Sequence, residues 1–394
     1  MPMESKNTKR KITEMVEYIL TWLCYGDAQA ASRVAYTADV QALDSHDVLI
    51  VPNNHLGNSI IMPDFSPVKT EHPSEGKTII LTDIVYNTFF FISRAEETFN
   101  TERDEHNRFA ARFSVLGNNH RLLTPMLDEH AHLLMEALGI PFPTPGFQHI
   151  FLTHDIDFIA RYRYLRGILG GLIHGKWQQM KASWKDIQKD PFYTFPWMTE
   201  QDALVPDAQV IYFVKQTRGK GYDSPQYNLS GKDFGQLKKR LLDSGAQLGV
   251  HSSYYGDLPK NPLSTLHRAH YLCGSVRQWQ KLSKADYTDD FTMGFADAAG
   301  FRLQTTRAVR WINPFTMRLT RLTMHPLIIM DTTLSNEKYM NLSEEDAFNM
   351  CQRLINSVRK YRGDLCLLWH NSSFTPDTYH KTLYGKIIQL LNGK

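Results

Sequence analysis

The stretch FLTHDIDF, residues 151–158, joins an apolar run to two acids that stand one residue apart. The run HIFL, which begins at residue 149, is typical of a buried strand in an α/β fold, so the acids are predicted to lie where that strand ends. On a strand, Asp155 and Asp157 would point to the same side, because side chains alternate. The same letters alone would also fit a helix N-cap.

Strands and helices alternate after this stretch. The runs AQVIYFV, AQLGVHSS and DLCLLWH predict strands, and helices are predicted near residues 232–244 and from a capping-box-like SEED at 343–346 to Gly363. Polar residues follow the strands at Asp155 and Asp157, at His251 and at His370. Because the carboxyl ends of parallel strands meet at one edge, this pattern predicts a site there.

The chain before this stretch mixes short strand-like runs (VAYTA, DVLIVP, KTIILT) with helical stretches. Proline and glycine are concentrated in GIPFPTPGFQ, residues 139–148, which is typical of a domain junction. We therefore expect a smaller N-terminal α/β domain of unknown role at 1–147 and a β/α domain at 148–394. The charged residues at 93–97 and 104–112 are better explained as a salt-bridged corner than as a catalytic site.

Composition excludes several classes of protein. Lys and Arg number 44 against 41 acids, so a nucleic-acid footprint is not expected. The four cysteines are widely separated, which argues against a thiolate zinc site or a disulfide framework. The N-terminus predicts an amphipathic helix, and neither a signal peptide nor a membrane-spanning run is expected. The predicted location is the cytoplasm or the inner membrane face.

Residues 161–185, RYRYLRGILGGLIHGKWQQMKASWK, combine a glycine-broken apolar patch with Arg, Lys, Tyr and Trp. Such a segment could contact a membrane surface or a lipid-linked substrate. A solvated helical hairpin over the mouth of a domain is the commoner explanation.

The residues at the strand ends suit metal-assisted hydrolysis. A metal would keep both acids ionised, so that Asp157 could bind it while Asp155 takes a proton from water. His251 is a candidate imidazole ligand, and His370 could protonate the leaving group. In LHRAHYL, Arg268 and His270 would share a strand face. Each motif alone has a structural explanation, but their coincidence at strand ends favours a site.

The order THDID, GVHSSY, RAHY and LWHN resembles the polysaccharide deacetylase (NodB homology) superfamily. The stretches FFFISRAEET, DEHNRFAARFS, KDPFYTF, DDFTMGFADAAGFR and HPLIIMDTTL are similar to a bacterial subset with an uncharacterised N-terminal domain. This resemblance, from about residue 30 onward, implies a distorted (β/α) barrel. It also implies a divalent metal, Zn²⁺ first among them, and hydrolysis of N-acetyl groups on a glycan or a lipid-linked glycan precursor.

Carried over residue by residue, the resemblance makes Asp155 the catalytic base and His370 the catalytic acid. Arg268 would steady the base, and Asp157 and His251 would bind the metal. The superfamily usually has a second histidine where this chain has Tyr255. His270 is the first candidate for the third ligand and Asp257 the second. The connection between His251 and Arg268 is short, so an irregular loop is expected there.

Three functions are compatible with the sequence. The first is metal-dependent removal of N-acetyl groups from a glycan. The second is a barrel without turnover that binds carbohydrate or scaffolds envelope-polysaccharide assembly. Its stacking surfaces would come from the aromatic side chains Trp177, Trp184, Trp197, Tyr254 and Trp369. The third is hydrolysis of another amide on the same barrel.

Overall fold

The structure is a computed structural model that describes residues 6–53, 56–57, 59–217, 223, 227–254 and 256–393. Within them the chain forms an N-terminal α/β region with its own sheet and a closed barrel of seven parallel strands. The predicted fold class, a distorted (β/α) barrel preceded by a smaller α/β unit, is confirmed.

The N-terminal region packs helices against a small sheet. Its elements are α1 (Lys6–Leu23), α2 (Ala28–Ala31), β1 (Val34–Tyr36), β2 (Val48–Ile50), β3 (Thr70–Ser74), β4 (Lys77–Ile80), α3 (Ile84–Ile92), α4 (Val115–Asn118) and α5 (Met126–Ala137). The sheet order is β1-β2-β4-β3, and only the β3–β4 pair is antiparallel within it. Met15, Ile19 and Leu23 lie four residues apart and are fully buried, as the predicted amphipathic helix requires.

The barrel consists of seven parallel strands, and an eighth strand pairs with it from outside. These strands are β5 (His149–Ile156), β6 (Ala208–Lys215), β7 (Gln247–Ser252), β8 (Leu266–Ala269), β9 (Asp289–Met293), β10 (Val309–Asn313), β11 (Arg318–Met330) and β12 (Asp364–Leu368). The long strand β11 closes the barrel, because it pairs in parallel with both β9 and β12. The eighth strand, β10, is antiparallel to β11.

Helices connect most of the barrel strands. They are α6 (Leu165–Ile173), α7 (Trp177–Lys185), α8 (Phe195–Asp202), α9 (Lys232–Asp243), α10 (Val276–Lys284), α11 (Asp331–Ser335), α12 (Glu344–Lys360) and α13 (His380–Asn392). The described residues between β7 and β8 contain no helix, so the predicted irregular loop is confirmed. The predicted helix at 232–244 corresponds to α9. Ser343 caps α12 by accepting a hydrogen bond from Asp346 N at 3.1 Å.

One hydrophobic cluster joins the N-terminal region to the barrel. It contains Met15 and Ile19 of α1 together with Trp279 of α10 and Trp311 of β10, all fully buried. The indole of Trp22 also donates to Ala308 O at 3.1 Å. The two parts of the chain therefore share a core. Among the described helices, none is long and apolar enough to cross a membrane.

Candidate metal centre

Neighbouring strands place polar side chains at one level of the barrel. The register pairs Lys215 of β6 with His251 of β7, and His251 with Arg268 of β8. Strand β5 ends at Ile156, so Asp155 lies at its carboxyl end and Asp157 directly follows. The strand ends that the sequence singled out thus meet at one edge, as they must in a closed parallel barrel.

Asp155 is held by the guanidinium of Arg268. Arg268 Nη1 lies 3.1 Å from Asp155 Oδ1 and donates to Thr153 Oγ1 at 2.8 Å, while its Nε donates to Phe291 O. The guanidinium also lies over the ring of Phe213, 4.5 Å from the centroid. Because Arg268 is fully buried, this contact fixes the orientation of Asp155.

Asp157, His251 and His270 offer three ligand atoms that lie within 4.8 Å of one another. Asp157 Oδ1 is 3.2 Å from His270 Nε2 and 3.7 Å from His251 Nε2. Asp157 Oδ1 and His251 Nε2 are buried, yet neither has a hydrogen bond of good geometry with a described residue. Two imidazoles and a carboxylate with such atoms turned toward one point fit a divalent ion.

In each imidazole, Nδ1 makes a hydrogen bond, and Nε2 on the opposite side of the ring faces the other ligand atoms of the cluster. His251 Nδ1 donates to Arg268 O at 3.1 Å, and since a carbonyl only accepts, Nε2 of the neutral ring carries the lone pair. His270 Nδ1 bonds Asp223 Oδ1 at 2.6 Å, and Ser253 Oγ donates to the other oxygen of Asp223. Such outer partners orient metal-binding histidines.

The surroundings of His251 lower its pKa, whereas those of His270 raise its pKa. Burial lowers the pKa of His251 to about 4, although Asp155 and Asp157 act in the other direction, so this ring is neutral and able to bind a metal. Burial also disfavours a charge on His270, but Asp157 and Asp223 outweigh it and raise its pKa. An ion bound here would therefore displace a proton from His270.

Lys215 contributes a second positive charge next to Asp157. Its Nζ lies 3.1 Å from Asp157 Oδ1, and the lysine side chain is only 3% exposed. Burial alone would raise the pKa of Asp157, but Lys215 and His270 together hold it well below its usual range. Asp157 is thus ionised, and Lys215 neutralises part of its charge.

His370 is paired with a buried acid that the sequence interpretation missed. Its Nδ1 lies 2.9 Å from Asp331 Oδ1, and its backbone N donates to Asp331 Oδ2 at 2.7 Å. Burial disfavours the imidazolium, but Asp331, Asp157 and Asp155 raise the pKa of His370 to about 10. Its Nε2, 3.8 Å from Asp157 Oδ2, therefore carries a proton at neutral pH. Asp331 directly follows the apolar end of β11, so the sequence pattern that identified Asp155 could also have identified Asp331.

Five of these residues, Asp155, Asp157, Lys215, His270 and His370, line a cleft of about 240 Å³. Its lining includes charged or ionisable residues, aromatic rings and small polar side chains, among them Asp155, Asp157, Lys215, His270, His370, Arg108, Phe158, Tyr271, Tyr339, Thr332, Asn336 and Ser372. A larger cavity, of about 500 Å³, is lined by residues around Phe147 and Arg359 at the amino end of β5. That cavity lies away from the paired acids and histidines, so we assign the chemistry to the smaller cleft.

The N-terminal region supplies one wall of the cleft. Arg108 is 6% exposed; its Nε donates to Asp104 Oδ2 at 2.7 Å and its Nη2 to Tyr339 OH at 2.9 Å. The ring of His106 stacks on Tyr271, with centroids 4.9 Å apart. The sequence interpretation of 104–112 as a charged corner is right about the Asp104–Arg108 pair but missed its position at the cleft.

Tyr271 and the residue after it adopt a strained backbone immediately beyond His270. Their φ values are +58° and +56°, in the left-handed region that side chains disfavour. Strand β8 ends at Ala269, so His270 is not on the strand face that the sequence predicted for it. The turn instead carries His270 toward Asp157, and such strain is found where a site requires a particular geometry.

Other candidates from the sequence lie elsewhere. Asp257 is exposed and does not join the cluster, so the alternative ligand predicted there is wrong. Tyr255 lies outside the described residues. His267 pairs with Asp290 at 2.7 Å, and His154 turns away from both acids to bond Trp369 O and Asp202. Trp369 is fully buried and cannot form a stacking surface for a ligand.

Comparisons with known proteins add little to this geometry. Residues 6–143 match a family of unknown function (DUF7033). No curated protein matches the chain. A solved structure from Mycobacterium smegmatis, described as a "putative polysaccharide deacetylase", is similar at 10% identity and a TM-score of 0.38, over 64% of this chain and 88% of that one. A likeness of this size does not establish a function for this chain.

Proposed function

We propose that this protein is a metal-dependent hydrolase that removes N-acetyl groups from a glycan or a glycan precursor. The observation that carries the proposal is that three converging ligand atoms, an arginine-held carboxylate and a protonated histidine lie together at one edge of the barrel. This combination supplies a base, an acid and a metal site for amide hydrolysis. The sequence resemblance to deacetylases supplies the substrate class.

Asp157, His251 and His270 would hold the ion. Two imidazoles and one carboxylate suit Zn²⁺, which would polarise the amide carbonyl and acidify a bound water. The pairing of His251 Nδ1 with Arg268 O and of His270 Nδ1 with Asp223 keeps both Nε2 atoms available.

The proton transfers fall to Asp155 and His370. Asp155, held in place by Arg268, would accept a proton from the attacking water, whose oxygen adds to the acetyl carbon. His370 Nε2, protonated because of Asp331, would donate to the amide nitrogen as the C–N bond breaks. Acetate and a free amine are the products. Asp331 would hold the ring of His370 in place throughout.

The lining of the cleft supports a sugar as the substrate. Tyr271, Tyr339 and Phe158 offer ring faces, and Asn336 and Ser372 offer hydrogen-bonding groups. Sugars are bound by such pairs of apolar ring contacts and polar contacts to hydroxyls. The aromatic residues named from sequence are different ones. Exposed Trp177 and Trp184 belong to the α6–α7 hairpin and do not line this cleft.

A second candidate function is carbohydrate binding without turnover, as a scaffold in envelope-polysaccharide assembly. One observation favours it: the Lys215 ammonium lies 3.1 Å from Asp157 Oδ1. A buried lysine there can balance the carboxylate without any metal. The predicted place of action, the cytoplasm or the inner membrane face, stays a prediction for both functions.

Metal content and acetate release distinguish the two functions. Purified protein reconstituted with Zn²⁺ should hold about one ion per chain and release acetate from N-acetylglucosamine oligosaccharides. Asp157→Asn and His251→Gln should lose the ion and the activity together. Asp257→Asn is the matched control, since Asp257 is exposed on the neighbouring loop, and it should behave as wild type.

Asp155→Asn tests the assigned base separately. The variant should release no measurable acetate while keeping its ion, because Asp155 belongs to the proton-transfer pair and not to the ligand set. Melting temperatures would verify that each variant is folded. Metal-free wild-type protein that still binds the oligosaccharide would favour the scaffold function, and full activity of Asp155→Asn would contradict the assignment of the base.

A further inference from the structure

The hairpin formed by α6 and α7 exposes an unusual amount of apolar surface. It lies in the connection from β5 to β6, and we call residues 161–189 the basic hairpin. Leu165, Leu169 and Ile173 follow one another at intervals of four along α6 and are 79%, 54% and 80% exposed. This spacing places them on one side of the helix. Nothing among the described residues covers that side.

Two tryptophans extend the apolar surface onto α7. Trp177 and Trp184 are seven residues apart, hence on one face of the helix, and are 64% and 61% exposed. Five of the fourteen large apolar side chains exposed in the described residues fall within residues 165–184. Lys181, also exposed, lies between the two tryptophans on that face. The apolar patch is thus contiguous in sequence and mixed with cations.

The basic hairpin has a larger net positive charge than the protein as a whole. Residues 161–189 contain seven Lys and Arg and one Asp, a net charge of +6. The whole chain has a net charge of +3, so the remaining residues together are negative. The charge is therefore concentrated beside the exposed apolar side chains.

Internal contacts hold the basic hairpin in a defined shape. Arg163 reaches across it, donating from Nε to Ser183 O at 2.9 Å and from Nη1 to Asp233. Trp184 Nε1 donates to Tyr162 O at 2.8 Å, which leaves the indole ring outside. A Cβ on Gly171 would lie 2.6 Å from Met180 Sδ, so the two helices are close-packed there. The apolar side chains are consequently held outward.

We propose that the basic hairpin docks this protein on an anionic phospholipid surface. A partner surface that complements this patch has both apolar groups and negative charge. The interface of a membrane with anionic headgroups has both properties. Tryptophan and lysine are the side chains that bridge the acyl and headgroup layers. A second copy of the chain is a poor occupant, because the same +6 charge would face itself.

Docking would bring the cleft to the membrane surface. The basic hairpin begins four residues after Asp157, and Phe158 lines the cleft, so hairpin and cleft lie at the same edge of the barrel. A substrate at the membrane surface would then reach the cleft without leaving the membrane. The docking itself does not depend on the proposed hydrolase activity.

Vesicle sedimentation with the full-length protein tests the proposal. The probes are vesicles of phosphatidylcholine alone and of phosphatidylcholine with 30% phosphatidylserine, a composition chosen for the assay. Wild type should sediment with the anionic vesicles and only weakly with the neutral ones, and high salt should release it. Leu165→Ser with Ile173→Ser should reduce the partition on the order of 100-fold. Lys181→Gln with Lys185→Gln should reduce it about 30-fold.

Matched controls make the same changes elsewhere on the surface. Leu242→Ser with Phe315→Ser removes two exposed apolar side chains, and Lys281→Gln with Lys284→Gln removes two exposed lysines of α10. Both should sediment as wild type does. Equal sedimentation with both vesicle types, or unchanged binding of the hairpin variants, would overturn the proposal. So would a wild-type dimer that ignores vesicles and dissociates when Leu165 and Ile173 are changed.

Discussion

Asp155 and Asp157 are chemically identical side chains with different neighbours. Arg268 contacts Asp155 at 3.1 Å, and its fixed planar guanidinium orients that carboxylate. Asp157 instead faces His270, His251 and Lys215. We therefore propose that Asp155, which contacts Arg268, is the base. Asp157, which faces two imidazoles, is the proposed metal ligand.

Lys215 is expected to weaken metal binding. Its ammonium lies 3.1 Å from the proposed ligand atom Asp157 Oδ1, and a divalent ion at that oxygen would be repelled by it. Lys215→Met should therefore raise the affinity for Zn²⁺ at least about tenfold, as measured by competition with a chelator. Lys239→Met, at an exposed lysine that also pairs with an aspartate, is the control. An affinity unchanged or lowered in Lys215→Met would show that the lysine supports the site.

The buried imidazole of His130 is expected to make the protein less stable in acid, independently of the candidate metal centre. Burial lowers its pKa from 6.5 to about 4, although Asp64 opposes the shift. The unfolded chain then binds the proton more tightly than the folded one. This contribution to the free energy of unfolding is complete above pH 6.5 and is lost as pH falls toward 4, by about 3 kcal/mol in full.

Urea unfolding of His130→Gln checks this prediction. Between pH 7.5 and pH 4.5 the variant should lose less unfolding free energy than wild type, since it has no imidazole to protonate. His174→Gln makes the same change at an exposed position and should follow the wild-type curve. Parallel curves for wild type and His130→Gln would mean that His130 does not govern the acid response.

At the scale of elements, the segment from Asp104 to Arg108 connects the N-terminal region with the cleft. His106 stacks on Tyr271 and its carbonyl oxygen accepts from Cys273 Sγ at 3.3 Å. Both contacts fall on the turn that follows His270. The N-terminal region thus supports the strained turn that carries one proposed metal ligand, and it places Arg108 in the wall of the cleft.

Arg108 is expected to bind substrate. Asp104 and Tyr339 occupy its Nε and Nη2, and no described residue bonds its Nη1, which leaves a donor at the cleft for a ligand oxygen. Arg108→Gln should raise KM for an N-acetylated oligosaccharide about tenfold, with kcat and metal content nearly unchanged. Arg112→Gln, at an exposed arginine four residues further along the chain, is the control. A fall in kcat or metal content alone would point to a structural role.

At the scale of the whole molecule, we propose a domain boundary near residue 147 that does not separate two independent cores. Helices α1 and α3 pack on strands β11 and β10, and Trp311 of β10 is fully buried in the cluster that contains Met15 of α1. Removal of the N-terminal region would expose this surface of the barrel. The interface resembles the interior of a single domain more than a contact between mobile domains.

Truncation tests this shared core. The fragment 148–394 should aggregate when expressed alone, because the apolar side chains around Trp311 would face water. Co-expression with the fragment 1–147 should restore soluble protein if the two parts reassociate. Size-exclusion chromatography would compare the fragment with the full chain. A monomeric, active 148–394 fragment would contradict the proposal that the N-terminal region completes the core.

The sequence alone predicted the types of several elements and some of their ends. The strand before Asp155, helix α9 and the cap at Ser343 follow from side-chain periodicity and capping, which act over a few neighbouring residues. It also identified the strand ends that carry Asp155, His251 and His370, because an apolar run followed by polar residues is a local pattern in the amino-acid sequence.

Only the tertiary structure decided which of these residues meet and what surrounds them. Closure of the barrel by β11 and the turn after β8 select His270 over Asp257 as the third group of the cluster. Asp223 is 47 residues from the His270 that it orients, and Arg108 is 231 residues from Tyr339. Contacts over such distances in sequence leave no local pattern, because the packing of the entire chain creates them.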